Sequence, residues 1–418
     1  MALRLGIGLV SGLACLGCAG TPSNHAALGG HASRDERRAG LAELAASLAE
    51  IPILSTTPGD PDGWGMALLG EVRQEPGDGP VYRSVGVNLD HAAYFYPAST
   101  VKLYGALGAG EKLEELASQH PGLSLASPWV IHPLFEGESI ERSDGSNLDG
   151  ARITLGHEVR KLFLVSDNRA YNRLYAFVGH AELDRRARAW GLTDTRLVHR
   201  LSEARTLEEN RRTHAIDLMG RDASAPAHVS LPERTDPPTV ASNAGMEHLL
   251  VGERHVAGGG VVEGPFDFTD KNATTLADLQ RALAMLCDPD AFERRLAIGE
   301  HTRAFLVEAA TGLPRDSQNP LYDPAEYPDD YAKYLLPGLS RVAPARDWRI
   351  TNKIGLAYGF VTENARIEHV PSGRSVYLAM TVYRNPNATV NDGDYDYDRT
   401  LSLFADAGER VGRWLVPE

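Results

Sequence analysis

The sequence predicts a mixed α/β (α+β) fold, in which an antiparallel sheet is built from both chain ends around an inserted all-helical subdomain. Strand-like runs occur early, at "GMALLGEV" and "VYRSVGVNLD", and return late, at "WRITNKIGLAYGFVTENARIEHV" and "RSVYLAMTVYR". Amphipathic helix patterns fill the middle, and "TLSLFADAGERVGRWL" closes the chain as a helix. One sheet interrupted by helices is the simplest architecture for this order. We assign the α/β part to residues 38–98 and 345–418, and the helical part to residues 99–344.

Composition limits the partners of the chain. The 418 residues carry a formal net charge of −14 and no long basic run. Because nucleic-acid surfaces need a basic patch, we expect no nucleic-acid partner. The fourteen histidines form no His-Glu-x-x-His pair, so we expect no metal. We also expect no organic cofactor and a monomeric chain.

The N-terminus has the pattern of an export signal. A single arginine and an apolar run precede small residues, which predicts a signal peptide over residues 1–18 and a flexible linker over residues 19–37. The segment "ACLGC" resembles a bacterial lipoprotein processing site, with Cys18 as the lipidated residue. The alternative is simple secretion after signal cleavage. We therefore expect an exported protein that is periplasmic, anchored to a membrane through its N-terminal lipid, or secreted.

The first chemical motif is Ser99 followed by Lys102 in "FYPASTVKL". Residues three apart on a helix are neighbours, so the amine can lie beside the hydroxyl and act as its base. Arginine cannot do this, because it does not deprotonate. Lysine is scarce in this arginine-rich chain and occurs only at Lys102, Lys112, Lys161, Lys271, Lys333 and Lys353. The alternative interpretation is a helix N-cap serine followed by a surface lysine.

Two further motifs follow in order. "VSDNRAYN" contains Ser166, Asp167 and Asn168, which can also be read as a helix start. "NKIGLAYG" places Lys353 and Gly355 on a strand-like run. The three motifs fall on a helix start, a loop and a C-terminal strand, an order that chance does not readily explain.

Together these motifs resemble the three signatures of the penicillin-recognising serine hydrolases, closest to the class A β-lactamases. The resemblance implies a β-lactamase/DD-peptidase-like fold over residues 38–418. It implies that Ser99 is acylated, that Lys102 assists proton transfer and that Ser166 passes a proton to the leaving nitrogen. Asn168 would contact the substrate's side-chain amide, and Lys353 would supply positive charge near Ser166 and the substrate carboxylate. Gly355 would also belong to the substrate-binding strand. The backbone N–H groups of Ser99 and Leu356 would form the oxyanion hole.

Two departures from the family pattern bear on function. Ile354 replaces the hydroxyl residue of the third motif, which removes a hydrogen bond to the substrate carboxylate worth about 1.5–3 kcal/mol. Leu201 falls where the family has its water-activating glutamate. Glu203 is the nearest replacement, with Glu208 and Glu209 further on, and each can also be a solvated carboxylate.

These features predict an exported serine hydrolase, with β-lactam hydrolysis as the leading activity and a β-lactam or cell-wall peptide as substrate. A DD-peptidase or esterase of the same mechanism is the alternative enzyme. Two further alternatives are binding proteins rather than enzymes. One is a covalent β-lactam binder or sensor without turnover, and the other is a scaffold that only binds cell-wall peptide. The Pro-, Gly- and Ala-rich residues 221–270 predict a long irregular excursion.

Overall fold

The computed structural model describes residues 34–75, 77, 79–220, 229–239 and 245–417, with the backbone alone over 34–39. The predicted signal peptide, Cys18 and most of the predicted linker lie outside these ranges. One correction falls inside them. The first helix begins at Arg34, so the last four residues of the predicted linker are helical. The segment "RDERR" consists mainly of arginine and glutamate, which favour helix.

The helices of the described chain are α1 Arg34–Ala49, α2 Lys102–Gln119, α3 Leu155–Leu164, α4 Asn168–Val178, α5 His180–Ala189, α6 Leu207–Asn210, α7 Leu276–Cys287, α8 Glu300–Thr311, α9 Leu336–Leu339 and α10 Tyr397–Leu415. The strands are β1 Trp64–Glu75, β2 Gly79–Val87, β3 Pro128–Ile131, β4 Ile153–Thr154, β5 Arg212–Thr213, β6 Ile216–Leu218, β7 Val229–Leu231, β8 Arg234–Thr235, β9 Leu250–Val251, β10 Arg254–Ala257, β11 Gly260–Glu263, β12 Phe266–Asp267, β13 Trp348–Ala357, β14 Phe360–His369, β15 Arg374–Tyr383 and β16 Thr389–Val390.

The predicted sheet from both chain ends is confirmed. Five antiparallel strands run in the order β13-β14-β15-β1-β2, so the N-terminal hairpin pairs with the C-terminal meander through β1 and β15. Side chains along β1 alternate between faces. Leu69 packs in the apolar cluster that holds α1 and α10, whereas Leu68 packs in the cluster that holds α2 and α7. The sheet therefore lies between the two terminal helices and the inserted part of the chain.

The prediction that the inserted part is all-helical is wrong. Helices α2 to α5 carry its core, but a four-stranded sheet in the order β4-β3-β6-β7 packs beside them. Strands β7 to β12 lie within the predicted irregular excursion; β10 and β11 form a three-stranded sheet with β16, and β8 and β9 belong to short pairs with β5 and β12. These strands are two to four residues long. A period-two pattern needs about four to eight residues to be recognised, so the sequence could not reveal them.

None of the helices in the described ranges combines the length and the apolar character that a membrane crossing requires.

Candidate active site

Ser99 lies on a tight 3₁₀ turn, Ala98–Val101, that leads into α2. Ala98 has a positive φ of 45°, and strained non-glycine residues of this kind are often found at functional sites. Thr100 fixes the turn by donating from its backbone N–H and its hydroxyl to the Pro97 carbonyl, at 3.0 and 2.6 Å. Ser99 is half-buried between fully buried neighbours. The turn therefore holds Ser99 in a fixed position that is partly accessible to solvent.

The interpretation of Ser99 and Lys102 as a capped helix start is wrong. The N-cap of the 3₁₀ turn is Pro97, and that of α2 is Val101. Lys102 is completely buried rather than exposed. A buried lysine in an arginine-rich chain needs a specific reason, because burial disfavours its charged form.

Lys102 reaches the second motif. Its Nζ donates to the carbonyl of Ser166, to Ser166 Oγ at 3.1 Å and to Asn168 Oδ1 at 2.7 Å. Burial lowers the pKa of Lys102 to about 7, against the opposing charge of Asp167. A substantial neutral fraction at pH 7 is what a general base requires.

Ser166 connects the two lysines. Its backbone has a positive φ of 56°, and Asp167 caps α4 immediately after it by accepting from Ala170 N–H at 2.7 Å. Ser166 Oγ also accepts from Lys353 Nζ at 2.9 Å. A hydroxyl has two acceptor positions and one proton. With both acceptor positions taken by lysines, the Ser166 proton is free to be donated to a third group.

The third motif lies on β13, at the edge of the sheet. A two-residue turn joins β13 to β14, and both of its residues, Tyr358 and Gly359, have positive φ values of 56° and 81°. These angles are those of a type I′ hairpin turn. The residues that flank such a turn, here Ala357 and Phe360, form a hydrogen-bonded pair, and the pattern then alternates along the strand.

This alternation sets the direction of the backbone groups of β13. Leu356 and Ile354 point their N–H and C=O groups away from β14, towards the open edge. Observed contacts agree, because the Ile354 carbonyl accepts from Lys353 Nζ at 2.9 Å and the Ile350 carbonyl from Lys333 Nζ at 2.7 Å. The Leu356 N–H is thus directed to the open edge of the sheet and takes no part in the β13–β14 ladder.

Gly355 shows how closely that turn packs. A Cβ atom at this position would lie 2.5 Å from the Pro97 carbonyl oxygen and 3.0 Å from Ser99 N. Both distances are too short for a carbon contact, and neither neighbour is a flexible side-chain end. The absence of a side chain at Gly355 therefore allows the serine turn to approach the strand edge.

If Ser99 is the residue that is acylated, Gly355→Ala is expected to slow that step about tenfold or more, because the new methyl group must displace the turn that carries Ser99. Intact mass after mixing with a fluorescent penicillin measures the rate. Gly260→Ala is the matched control, since that glycine has open space around it. An unchanged rate in Gly355→Ala would contradict the close packing.

Ile354 provides no substitute for the missing hydroxyl. It is buried in the apolar cluster that includes Ile350. Behind the strand lies a polar group that the sequence analysis missed. Lys333 Nζ donates to Asn352 Oδ1 at 2.6 Å, and Asn352 Nδ2 donates to Glu363 Oε1 at 2.7 Å. Burial lowers the pKa of Lys333 and raises that of Glu363.

This group also affects the site electrostatically. The pKa of Lys353 is held well below its ordinary value, first by burial and then by the charges of Lys102 and Lys333. The signal available in the sequence was the scarcity of lysine, which applies to Lys333 as well as to the motif lysines. The sequence positions of Lys333, Asn352 and Glu363 are not related by any motif spacing.

Leu201 and Glu203 are held by α4 through Asn172, which the sequence analysis also missed. Asn172 lies one turn after Asn168 on the same helix face. Its Oδ1 accepts from Leu201 N–H at 2.9 Å, and its Nδ2 donates to the Leu201 carbonyl at 2.9 Å and to Glu203 Oε1 at 2.8 Å. Asn168 Nδ2 donates to Ser202 Oγ at 2.7 Å. Two asparagines thus fix this segment beside the second motif.

The candidate carboxylates differ in their surroundings. Leu201 is buried in the core, so its side chain supplies no base. The Glu203 carboxylate is partly exposed and lies 3.6 Å from Arg205 Nε. Glu208 is exposed on α6, and Glu209 forms a capping box with Thr206 at the start of that helix. Of the three glutamates considered, Glu203 is the one tied to the helix that carries Asn168.

One group of potential metal ligands exists in the described ranges, formed by Asp144, His157 and Glu158. Its carboxylates are already neutralised, because Lys161 Nζ lies 2.7 Å from Asp144 and Arg173 Nη1 lies 3.0 Å from Glu158. Each carboxylate of the cluster therefore already has a cationic side chain beside it, and the Glu158–Arg173 pair joins α3 to α4.

Comparison with known proteins gives one family match. The sequence model of the beta-lactamase enzyme family matches residues 83–222, which contain the first two motifs but not the third. Over those residues the match confirms the resemblance to the penicillin-recognising serine hydrolases. No curated protein sequence matches the chain.

Solved structures of similar proteins align over most of the chain. A beta-lactamase from Desulfarculus baarsii covers 90% of this chain and 99% of its own, at 18% identity and a TM-score of 0.48. A beta-lactamase from Burkholderia phymatum covers 90% and 100%, at 15% identity and a TM-score of 0.48. A structure of PBP-A covers 89% and 96%, at 15% identity and a TM-score of 0.48.

Proposed function

We propose that this protein is a serine hydrolase that forms an acyl-enzyme at Ser99, with β-lactams as its acyl donors. The observation that supports this most directly is the convergence of Lys102 and Lys353 on Ser166 Oγ. Two buried lysines of lowered pKa around one serine hydroxyl supply the groups that proton transfer from Ser99 to a leaving group would use.

The acylation step follows from these groups. Neutral Lys102 accepts the Ser99 proton as Ser99 Oγ attacks the lactam carbonyl. The N–H groups of Ser99 and Leu356 stabilise the oxygen on which negative charge develops. The Ser166 hydroxyl donates its free proton to the leaving nitrogen and is reprotonated through the lysines. Lys353 supplies positive charge for an anionic group on the substrate.

Hydrolysis of the acyl-enzyme requires a base for water, and we assign this role to Glu203. Its hydrogen bond to Asn172 fixes one carboxylate oxygen and leaves the other oxygen in contact with solvent and Arg205. Leu201, which occupies the position bound by both groups of the Asn172 amide, cannot act in this way. In this proposal, deacylation depends on the carboxylate of Glu203, two residues after Leu201.

Two observations favour a second candidate, a DD-peptidase, an esterase or a covalent β-lactam-binding sensor. Ile354 offers no hydroxyl to a substrate carboxylate, and the buried Leu201 offers no base. These two departures from the family pattern leave the residues proposed for acylation in place. Ile354 affects the choice of substrate, and Leu201 affects the release of the acyl group. We further propose that the protein is exported, with Cys18 as its lipidation site.

The test uses the purified protein with a fluorescent penicillin and a chromogenic cephalosporin, followed by intact mass over time. Rapid cephalosporin turnover supports a β-lactamase. A stable adduct on Ser99 supports the peptidase or sensor. If neither an adduct nor turnover forms, and ester substrates are not hydrolysed either, the acyl-enzyme proposal is wrong.

We expect Glu203→Gln to convert turnover into accumulation of the acyl-enzyme, with deacylation slowed about 10²–10⁴-fold, the usual contribution of a general base. The amide keeps the hydrogen-bonding capacity of the side chain but cannot take a proton from water. Glu208→Gln is the matched control, because that carboxylate is exposed on α6. Equal deacylation rates in Glu203→Gln and wild type would remove Glu203 from the mechanism.

A further inference from the structure

Arg205 lies beside the carboxylate that we assign as the base for deacylation. Its Nε is 3.6 Å from Glu203 Oε2, whereas the other carboxylate oxygen, Oε1, accepts from Asn172 Nδ2 at 2.8 Å. Glu203 is thus held by a neutral amide on one side and faces a guanidinium on the other. An opposite charge at such a distance stabilises the ionised form of a carboxyl group. Since only the ionised form can take a proton from water, Arg205 bears on when Glu203 can act.

The segment Leu134–Glu138 holds Arg205 in place. The Arg205 guanidinium lies 3.7 Å from the centre of the Phe135 ring, which is a cation–π contact. Its Nη2 lies 3.3 Å from Glu138 Oε1. The other oxygen of Glu138 accepts from the N–H groups of Leu134 and Phe135, at 2.8 and 3.0 Å. Arg205 is therefore anchored by a ring and a carboxylate that are themselves fixed in a distant part of the chain.

A second arginine, Arg200, has a different role. Its Nε lies 4.0 Å from Glu203 Oε2, but its side chain is almost completely buried. Its Nη groups donate to three backbone carbonyls, those of Glu209, Asn210 and Arg212. Arg200 thus fixes the backbone of the segment that carries Glu203. Arg205 is 24% exposed and can be replaced without removing those contacts.

The remaining charged or titratable groups around Glu203 lie in two cavities that it lines. A cavity of about 200 Å³ on the side of α4 contains His132, Glu138, Glu141, Arg169, Arg173 and His214. A cavity on the opposite side contains His199, Asp270 and Lys271. Burial lowers the pKa of His214, and it lowers that of His199 to about 4, so both rings are neutral at neutral pH. Of the cationic side chains in the described ranges, only Arg200 and Arg205 lie within 4.0 Å of the Glu203 carboxylate.

We propose that Arg205 is a positioning residue for deacylation, which keeps the Glu203 carboxylate charged and thereby sets the lowest pH at which the acyl-enzyme is hydrolysed. The inference rests on the proposed acyl-enzyme at Ser99 and on Glu203 as the base that hydrolyses it. It assigns an effect on deacylation to the segment Leu134–Glu138, which contains none of the three motifs.

The experiment measures deacylation alone as a function of pH. The acyl-enzyme formed with a fluorescent penicillin is separated from excess reagent by rapid gel filtration and diluted into buffers from acid to neutral pH. Intact mass then follows the loss of the adduct in wild type, Arg205→Gln, Arg205→Lys and Arg212→Gln. Arg212 provides the matched control, because its guanidinium lies 5.3 Å from the centre of the same Phe135 ring but pairs with Glu233 at 2.8 Å.

We expect the acid limb of the Arg205→Gln profile to move to higher pH by about 0.5–1 unit, less than the 1–3 units of a close buried pair because both side chains are partly exposed. The direction follows from the charge. Without the guanidinium, the carboxylate takes up a proton at a higher pH, and deacylation is lost earlier as the pH falls. Arg205→Lys keeps the charge and should keep the wild-type midpoint, as should Arg212→Gln.

A double variant shows whether Arg205 acts through Glu203. The Glu203→Gln protein has no carboxylate at this position, so the addition of Arg205→Gln should leave its residual pH profile unchanged. The inference is overturned if Arg205→Gln has the wild-type midpoint, or if its shift persists in the Glu203→Gln background. A wild-type adduct that persists at every pH also overturns it, because Glu203 then activates no water. Should wild type form no adduct at all, the proposed function itself fails.

The midpoint of the profile decides the outcome rather than the rate, because partial unfolding lowers the rate at every pH. If thermal unfolding shows that Arg205→Gln is unstable at acid pH, Phe135→Leu carries the comparison. It keeps every charge and an apolar side chain but removes the ring on which the Arg205 guanidinium lies. Its midpoint should move in the same direction by a smaller amount, and an unchanged midpoint would count against the inference.

Discussion

Replacement of Ser99 by alanine is expected to abolish the covalent adduct with a fluorescent penicillin and to reduce cephalosporin turnover to background. The remaining groups can still bind and polarise a carbonyl, but no atom is left to form the acyl bond. Intact mass measures adduct formation directly. Peptide mapping of the wild-type adduct should place the added mass on the peptide that contains Ser99.

The loss should occur without loss of the fold. Ser99 is half-buried and is not the N-cap of either helical element, so its hydroxyl contributes little to stability, within about 1 kcal/mol. Ser118→Ala is the matched control, since Ser118 is an exposed serine on α2, the helix that follows the Ser99 turn. An adduct of the same mass and rate in Ser99→Ala would mean that another residue is the nucleophile.

Much of the candidate site could be predicted because its residues are close in sequence or carry a fixed motif. Lys102 lies one turn after Ser99, and Ser166 and Asn168 belong to one triplet. The proposed chemistry permits few residue types at these positions, so a short sequence motif is enough to identify them. The sheet could also be predicted, because its strands have nine to twelve residues, long enough for their apolar pattern to be recognised.

Other features depend on contacts between distant residues and could not be predicted. The ring contacts of Tyr96 with His199 and Tyr358, and of Phe266 with Tyr358, join positions that no spacing rule relates. The buried pair of Lys333 and Glu363 is likewise produced by tertiary packing. Asn172 is different, since its position one turn after Asn168 could have marked it as a neighbour of the same segment.

Replacement of Lys102 by methionine is expected to slow acylation about 10²–10⁴-fold, the range for loss of a general base. Methionine fills similar space and removes the amine that contacts Ser166 and Asn168. Stopped-flow or quenched mixing with the fluorescent penicillin gives the acylation rate. Lys112→Met is the matched control. Lys112 lies on the same helix, donates to the carbonyls of Phe177 and Val178, and has a pKa that burial lowers to about 8.

The pH dependence separates a base from a structural amine. Lys102 acts as a base only when neutral, so the wild-type acylation rate should rise with pH and level off above the pKa of about 7. The neutral fraction falls from about one half at pH 7 to about one tenth at pH 6, which predicts a rate about fivefold lower at pH 6. Lys112→Met should keep this profile, and Lys102→Met should lose the step near pH 7. If Lys102→Met is slow but keeps that step, another group is the base, and Lys102 only positions Ser166.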